Sequence, residues 1–194
     1  LKYLFLHGQQ YNNDDPLHLP GPGGEEAEVP IGENAYDCSL AWVSCDRDLE
    51  SEEWERARKV RLAMSVAIDR QKLVNNIALG EGSPWYIPSW GESARYRQFG
   101  LDQLVHEYDP ARARQLLVEA GYPDGFEIDM FLIQGLSPGT VTAAEAVATM
   151  WEDVGIRTKQ EFVPRATFRP QRVSRVAKGV QTYSSGGGVE PVRN

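Results

Sequence analysis

An α/β layer architecture on an α+β mixed sheet follows from three features of this 194-residue chain. From residue 109 onward, helix and strand patterns alternate three times, the order that stacks helices on a sheet. Phe126-Glu127-Ile128-Asp129 alternates apolar and polar, then Met130 to Ile133 is wholly apolar, as in a strand entering a buried sheet. Earlier, Val60, Ala63, Met64, Ala67 and Ile68 recur at a 3.6-residue period and share one helix face, with Arg58, Arg61 and Ser65 off it. With 41% hydrophobic and 25% charged residues, the chain can bury one core or one lobe of something larger.

Leu1 to His7 is a short apolar strand. Residues 12–35 form a long Pro/Gly/acidic stretch, least structured over Leu19-Pro20-Gly21-Pro22-Gly23-Gly24, which fits an excursion or a boundary. Ser39 to Val43 reads as a strand. Arg47 to Glu53 leads, polar and acidic, into the first long helix, where negative charge favours an N-terminus. Asp69 starts a second helix over Gln71 to Leu79, its carboxylate suited to accept from orphan backbone N–H groups. Gly80 and Gly82 stop that helix, and Pro84 prevents its resumption before the aromatic loop Trp85-Tyr86-Ile87-Pro88-Ser89-Trp90.

Residues 91–107 are polar and irregular. A well-punctuated helix follows, with Asp109 as N-cap, Pro110 at the first helical position, Ala111 to Ala120 as body and Gly121 as stop. Beyond the Phe126 strand, Thr142 with Glu145 makes a capping box for a helix running to Asp153, ended by Gly155. Ile156 to Val163 is the next strand, Thr167 to Val176 a short basic helix, and Gly179 to Ser184 a last strand. There is no internal repeat.

A net charge of −8 argues against nucleic acid, which rewards a basic face. The charge is uneven: residues 14–55 are acidic, whereas residues 157–178 carry Arg157, Lys159, Arg165, Arg169, Arg172, Arg175 and Lys178. Such segments act as docking stripes or as mutually compensating solvated faces. No run approaches the roughly 18–20 apolar residues that cross a bilayer, so no direct membrane insertion is expected. Leu1 to Leu6 is too short for a signal peptide, and without an initiator Met the chain reads as a processed or excised segment.

Cys38 and Cys45, seven residues apart, fall on opposite faces if their segment is one extended strand, which disfavours a disulfide unless a turn lies between them. They leave the compartment open. His7, His18 and His106 are scattered, so no metal site is expected. There is no GxSxG elbow and no HExxH. Ser184-Ser185-Gly186-Gly187-Gly188 lacks the Lys-Ser/Thr of a phosphate loop, and Gly80-Glu81-Gly82 lacks the third glycine of a dinucleotide fingerprint. Asp69 and Asp109 are explained as caps. No catalytic residue and no cofactor is expected, and the chain does not read as an enzyme.

Three stretches in order carry a resemblance: Arg58 to Pro84 (RKVRLAMSVAIDRQKLVNNIALGEGSP), Tyr108 to Phe126 (YDPARARQLLVEAGYPDGF) and Met150 to Arg157 (MWEDVGIR). The first resembles the hallmark helix pair of the family 5 extracellular solute-binding proteins, the oligopeptide-, dipeptide- and nickel-binding components of ABC importers. The second matches that family's Tyr-Asp-Pro helix with its Ala-Gly-Tyr end, and the third its helix-strand unit. The resemblance covers roughly residues 39–185. It implies one lobe of a periplasmic-binding-protein-like (type II, cluster C) venus-flytrap fold, in which two lobes close on a ligand.

The chain is much shorter than such two-lobed proteins, which implies a partial carboxyl-terminal lobe over 39–185. Residues 1–38 then form an irregular N-terminal segment and 186–194 a flexible tail. The implied function is capture of a peptide or other small solute in an interlobe cleft and delivery to ABC permease subunits, in the periplasm or extracellular space. Two places are candidates for ligand contact. Trp85, Tyr86 and Trp90 can enclose a peptide-like ligand, or can cover the lobe's own core or the surface of the other lobe. At Tyr183, Ser184, Ser185 and Gly186 small residues let a ligand backbone approach closely, or the chain frays. Arg61 and Arg70 read as surface or helix-pairing charges. The alternative function is a stand-alone protein-interaction module, with residues 12–35 and 157–178 as docking surfaces.

Overall fold

The computed structural model describes residues 2–7, 17–20, 26–29, 38–46, 48–82, 84, 106–173 and 179–184. Its strands are β1 (Lys2–His7), β2 (Leu17–Pro20), β3 (Glu26–Val29), β4 (Phe126–Gln134), β5 (Ile156–Pro164) and β6 (Gly179–Ser184). Its helices are α1 (Glu52–Val66), α2 (Arg70–Ile77), α3 (Pro110–Glu119), α4 (Thr140–Glu152) and α5 (Arg165–Val173). The main sheet runs β1-β6-β4-β5, with β4 parallel to both β5 and β6 and β1 antiparallel to β6. This is the mixed α/β sheet the sequence predicts.

The larger core lies on one face of that sheet. Ile128, Met130 and Leu132 of β4 and Ile156 of β5 pack there with Val60, Ala63 and Met64 of α1, Leu116 and Leu117 of α3, and Val147 and Trp151 of α4. Trp151 ties the layers together, since its indole Nε1–H donates to the buried Met64 carbonyl at 2.9 Å. The alternate residues of β4 and β5 face the other way: Ile133 and Val163 meet Phe168 of α5, with Phe131 and Leu136 against them. The switch from alternating to wholly apolar in β4 therefore marks where the strand becomes covered on both faces.

The caps at Asp69 and Asp109 form as expected, accepting from the backbone N–H groups of Lys72 and Arg112 at 2.9 and 2.8 Å. At Gly125, φ is +71°, and a Cβ built there would overlap the carbonyl oxygen of Gly155. Only glycine allows β4 and β5 to start this close together.

Four expectations need correcting. Ser39 to Val43 is not a strand: residues 38–42 are turns, with Val43 N–H donating to Leu40 O at 3.0 Å. Ala41, Trp42 and Val43 are buried in succession, which an alternating strand on one face of a core does not allow. That turn brings Cys38 and Cys45 to a Cα separation of 5.7 Å, and they form a disulfide, contrary to the strand-based reading. The capping box at Thr142 is also absent. Helix α4 begins three residues earlier, after a left-handed Gly139, and both the N–H and the hydroxyl of Thr140 reach the Ser137 carbonyl. Finally, part of the Pro/Gly/acidic stretch is ordered: β2 and β3 pair antiparallel, Leu17 opposite Val29.

Candidate functional site

The parallel strands β4, β5 and β6 all end on one edge of the sheet, and the helices that follow β4 and β5 leave toward opposite faces. Helix α4 packs on the Met130 side and α5 on the Phe131 side. Where chain connections diverge in this way, the carboxyl ends of the strands leave a crevice, the usual ligand position in open α/β sheets. Here that edge comprises Gln134 and the loop Gly135-Leu136-Ser137-Pro138-Gly139 after β4, Pro164 and Arg165 after β5, and Tyr183 and Ser184 closing β6.

At this edge a side chain takes over from the backbone ladder. The β4–β6 ladder registers Met130 with Val180 and Phe131 with Gln181. One residue further, the buried Thr182 hydroxyl accepts from the Ile133 N–H at 2.8 Å and donates toward the Phe131 carbonyl at 3.5 Å. A hydroxyl thus replaces a backbone carbonyl, which satisfies the Ile133 amide where the registered ladder ends. Phe131 and Phe168 pack with tilted rings 5.0 Å between centroids in the small cluster that joins α5 to β4 and β5. The exposed Gln134 amide and the backbone around Gly135 present hydrogen-bond donors and acceptors suited to non-covalent binding. Among the described residues, no group of three His, Cys, Asp or Glu side chains is placed to hold a metal ion.

Of the residues the sequence singled out, Tyr183 and Ser184 lie on this edge, where β6 registers them with Tyr3 and Lys2 of β1. Trp85, Tyr86, Trp90, Ser185 and Gly186 lie outside the described residues, as does the expected tail over 186–194. The Gln134–Thr140 turn was not singled out. Its signal was present as an apolar strand ending in Gly135, followed by Ser-Pro-Gly and a helix.

The charged residues of the hallmark helices are used internally. Arg61 Nη1 donates to the Trp42 carbonyl at 2.7 Å and its guanidinium lies 5.0 Å from the Trp54 ring centroid. Burial, then repulsion from Arg58, pulls Arg61 below the usual arginine range. Arg70 donates to the Ser65 carbonyl and hydroxyl, both at 2.9 Å, and His106 Nδ1 is 2.8 Å from that same hydroxyl. Burial, then the Arg70 charge, lowers the His106 pKa. Arg70, Ser65 and His106 thus meet at the α1–α2 junction, while Arg61 ties α1 to the Trp42 turn.

Residues 48–191 match the profile of the bacterial extracellular solute-binding proteins, family 5 Middle. Heme-binding protein A of Haemophilus influenzae is 32% identical over 114 residues, 57% of this chain and 20% of that protein. Oligopeptide-binding protein AppA of Bacillus subtilis is 36% identical over 88 residues, 45% of this chain and 16% of that protein. The chain thus spans about a fifth or less of the length of these curated relatives. The structure of AppA from B. subtilis in complex with a nonapeptide superposes with a TM-score of 0.53 at 22% identity, covering 69% of this chain and 29% of that one. That similarity is one of fold.

Proposed function

The chain belongs to the bacterial extracellular solute-binding proteins of family 5, and from that membership we propose that it supplies part of one lobe of an ABC importer's substrate-binding component. The ligand is a peptide or another small solute, in keeping with relatives named as oligopeptide- and heme-binding proteins. It is held without covalent chemistry on the carboxyl edge of β4, β5 and β6 and is delivered to permease subunits by the whole protein. The chain is not an enzyme on this reading. The observation that carries it is the divergence of α4 and α5 from adjacent strand ends, with the Thr182 hydroxyl bridging β6 to β4 beside them. Trp85, Tyr86, Trp90, Tyr183, Ser184, Ser185 and Gly186 are its proposed contact residues. The Cys38–Cys45 disulfide supports a periplasmic or extracellular setting, because such bonds persist in oxidising compartments.

Calorimetric titration of the chain with a pool of short peptides tests this. One lobe edge contacts one side of a ligand, so the expected affinity is no tighter than about micromolar. Submicromolar binding would contradict the shared-cleft reading, and no heat at millimolar peptide would contradict the edge as a binding surface.

A further inference from the structure

Strand β5 forms one margin of the four-stranded sheet, and among the described residues it pairs with β4 alone. It is nine residues long, and Arg157, Lys159, Gln160, Glu161 and Phe162 are exposed along it. Phe162 is 53% exposed, an unusual position for a phenylalanine on an open sheet margin. Natural edges are commonly blunted by charge, but the arrangement of these charges does more than repel. Lys159 and Glu161 share one face and flank Gln160 symmetrically.

We propose that the β5 edge pairs with the β5 edge of a second copy of this chain, antiparallel and two-fold about Gln160. In a two-fold antiparallel pair, a residue can oppose only residues of its own face, so the register moves in steps that keep faces aligned. Centring on Gln160 places Lys159 opposite the partner's Glu161 and repeats that pair by symmetry. It also places Phe162 opposite the partner's Thr158, an aromatic against a β-branched side chain, which is a favourable cross-strand pair. The neighbouring registers are less favourable on charge, although centring on residue 159 also sets Arg157 opposite the partner's Glu161. Centring on residue 159 sets Lys159 against its own copy, and centring on 161 does the same with Glu161.

Nothing else on the strand competes. Arg157 donates to the Asp124 carbonyl at 3.1 Å and opposes the partner's Val163 in the chosen register. The Gln160 amide rests on the Thr158 hydroxyl at 3.3 Å, a contact it can exchange for its own copy at the axis. The pairing uses the lateral margin of β5 whereas the proposed ligand edge lies at the strand ends, and its test reads assembly without ligand, so the two are tested separately.

Sedimentation equilibrium over a concentration series tests it, with circular dichroism to confirm that each variant folds. The expected result is a reversible monomer–dimer equilibrium for the native chain. Lys159→Glu and Glu161→Lys singly each place like charges opposite one another and should weaken dimerisation at least about tenfold. The double exchange Lys159→Glu with Glu161→Lys restores opposite charges and should restore the dimer. A monomer at all concentrations would overturn the proposal. So would a dimer indifferent to the single reversals, which would place another surface in the contact, or one that the double exchange fails to rescue.

Discussion

The Thr182 hydroxyl accepts from the backbone N–H of Ile133 at 2.8 Å, at the point where β6 stops pairing with β4 through its backbone. Thr182 is 1% exposed, so water cannot take its place. Replacing Thr182 by Val keeps the shape but leaves the Ile133 amide buried without that acceptor. Denaturant unfolding should show a loss of about 1–3 kcal/mol, and Thr182→Ser, which keeps the hydroxyl, should lose less. Equal effects of the two changes would mean that the methyl group, not the hydrogen bond, holds the strands here.

The end of α2 carries strain that the sequence does not advertise. Leu79, not Gly80, is the first residue past the helix in the left-handed region, with φ at +54°, and its side chain is 84% exposed. Leu79→Gly relieves the Cβ conflict and gives up little burial, so it should raise stability by up to about 1 kcal/mol. A measured loss of stability would show that Leu79 makes contacts that offset its conformation.

His106 imposes a pH dependence whose sign is fixed. Its folded pKa lies below the unfolded value, because burial and the Arg70 charge disfavour the imidazolium. Ser65 and the Arg70 charge face it, and Glu107 and Asp109 neighbour it in sequence. The unfolded chain therefore binds this proton more readily, and stability is full above pH of about 6.5 and declines as pH falls below it. In His106→Asn the part of that slope between pH 5 and 7 should shrink. An unchanged slope would assign the dependence to other groups.

The Cys38–Cys45 bridge closes the turn that buries Trp42, whose carbonyl holds Arg61. Removing the bridge frees a short loop in the unfolded chain, an effect of about 2 kcal/mol. Reduction should lower the unfolding midpoint accordingly and shift tryptophan emission to the red as Trp42 meets water. An unaltered midpoint and spectrum after complete reduction would show that Trp42 is held without the bridge.

Local signals proved legible where a residue's own chemistry decides the backbone. Asp69, Asp109 and Pro110 start helices because an acceptor or a fixed φ is needed there, and the strands at Phe126 and Ile156 follow from their apolar patterns. Misreadings arose where distant groups decide. Ser39 to Val43 resembles a strand, but Ala41, Trp42 and Val43 enter the core from a turn bracketed by the Cys38–Cys45 disulfide and tied to Arg61 nineteen residues away. Thr142 has capping chemistry, yet the left-handed Gly139 and the Ser137 carbonyl start α4 earlier. The ligand edge was half legible. Tyr183 and Ser184 were named from the family resemblance, whereas the Gln134–Thr140 turn becomes a candidate only when the helices are seen to leave by opposite faces.

The central claim is that ligand meets this lobe at the carboxyl ends of β4, β5 and β6. Backbone amide NMR of the isotopically labelled chain, titrated with a pool of short peptides, tests it directly. The account predicts shifts concentrated at Gln134–Thr140, Arg165 and Tyr183–Ser184, with α1 and α3 unmoved. Shifts confined to the helical face around Arg61, Arg70 and His106, or none at saturating peptide, would contradict it.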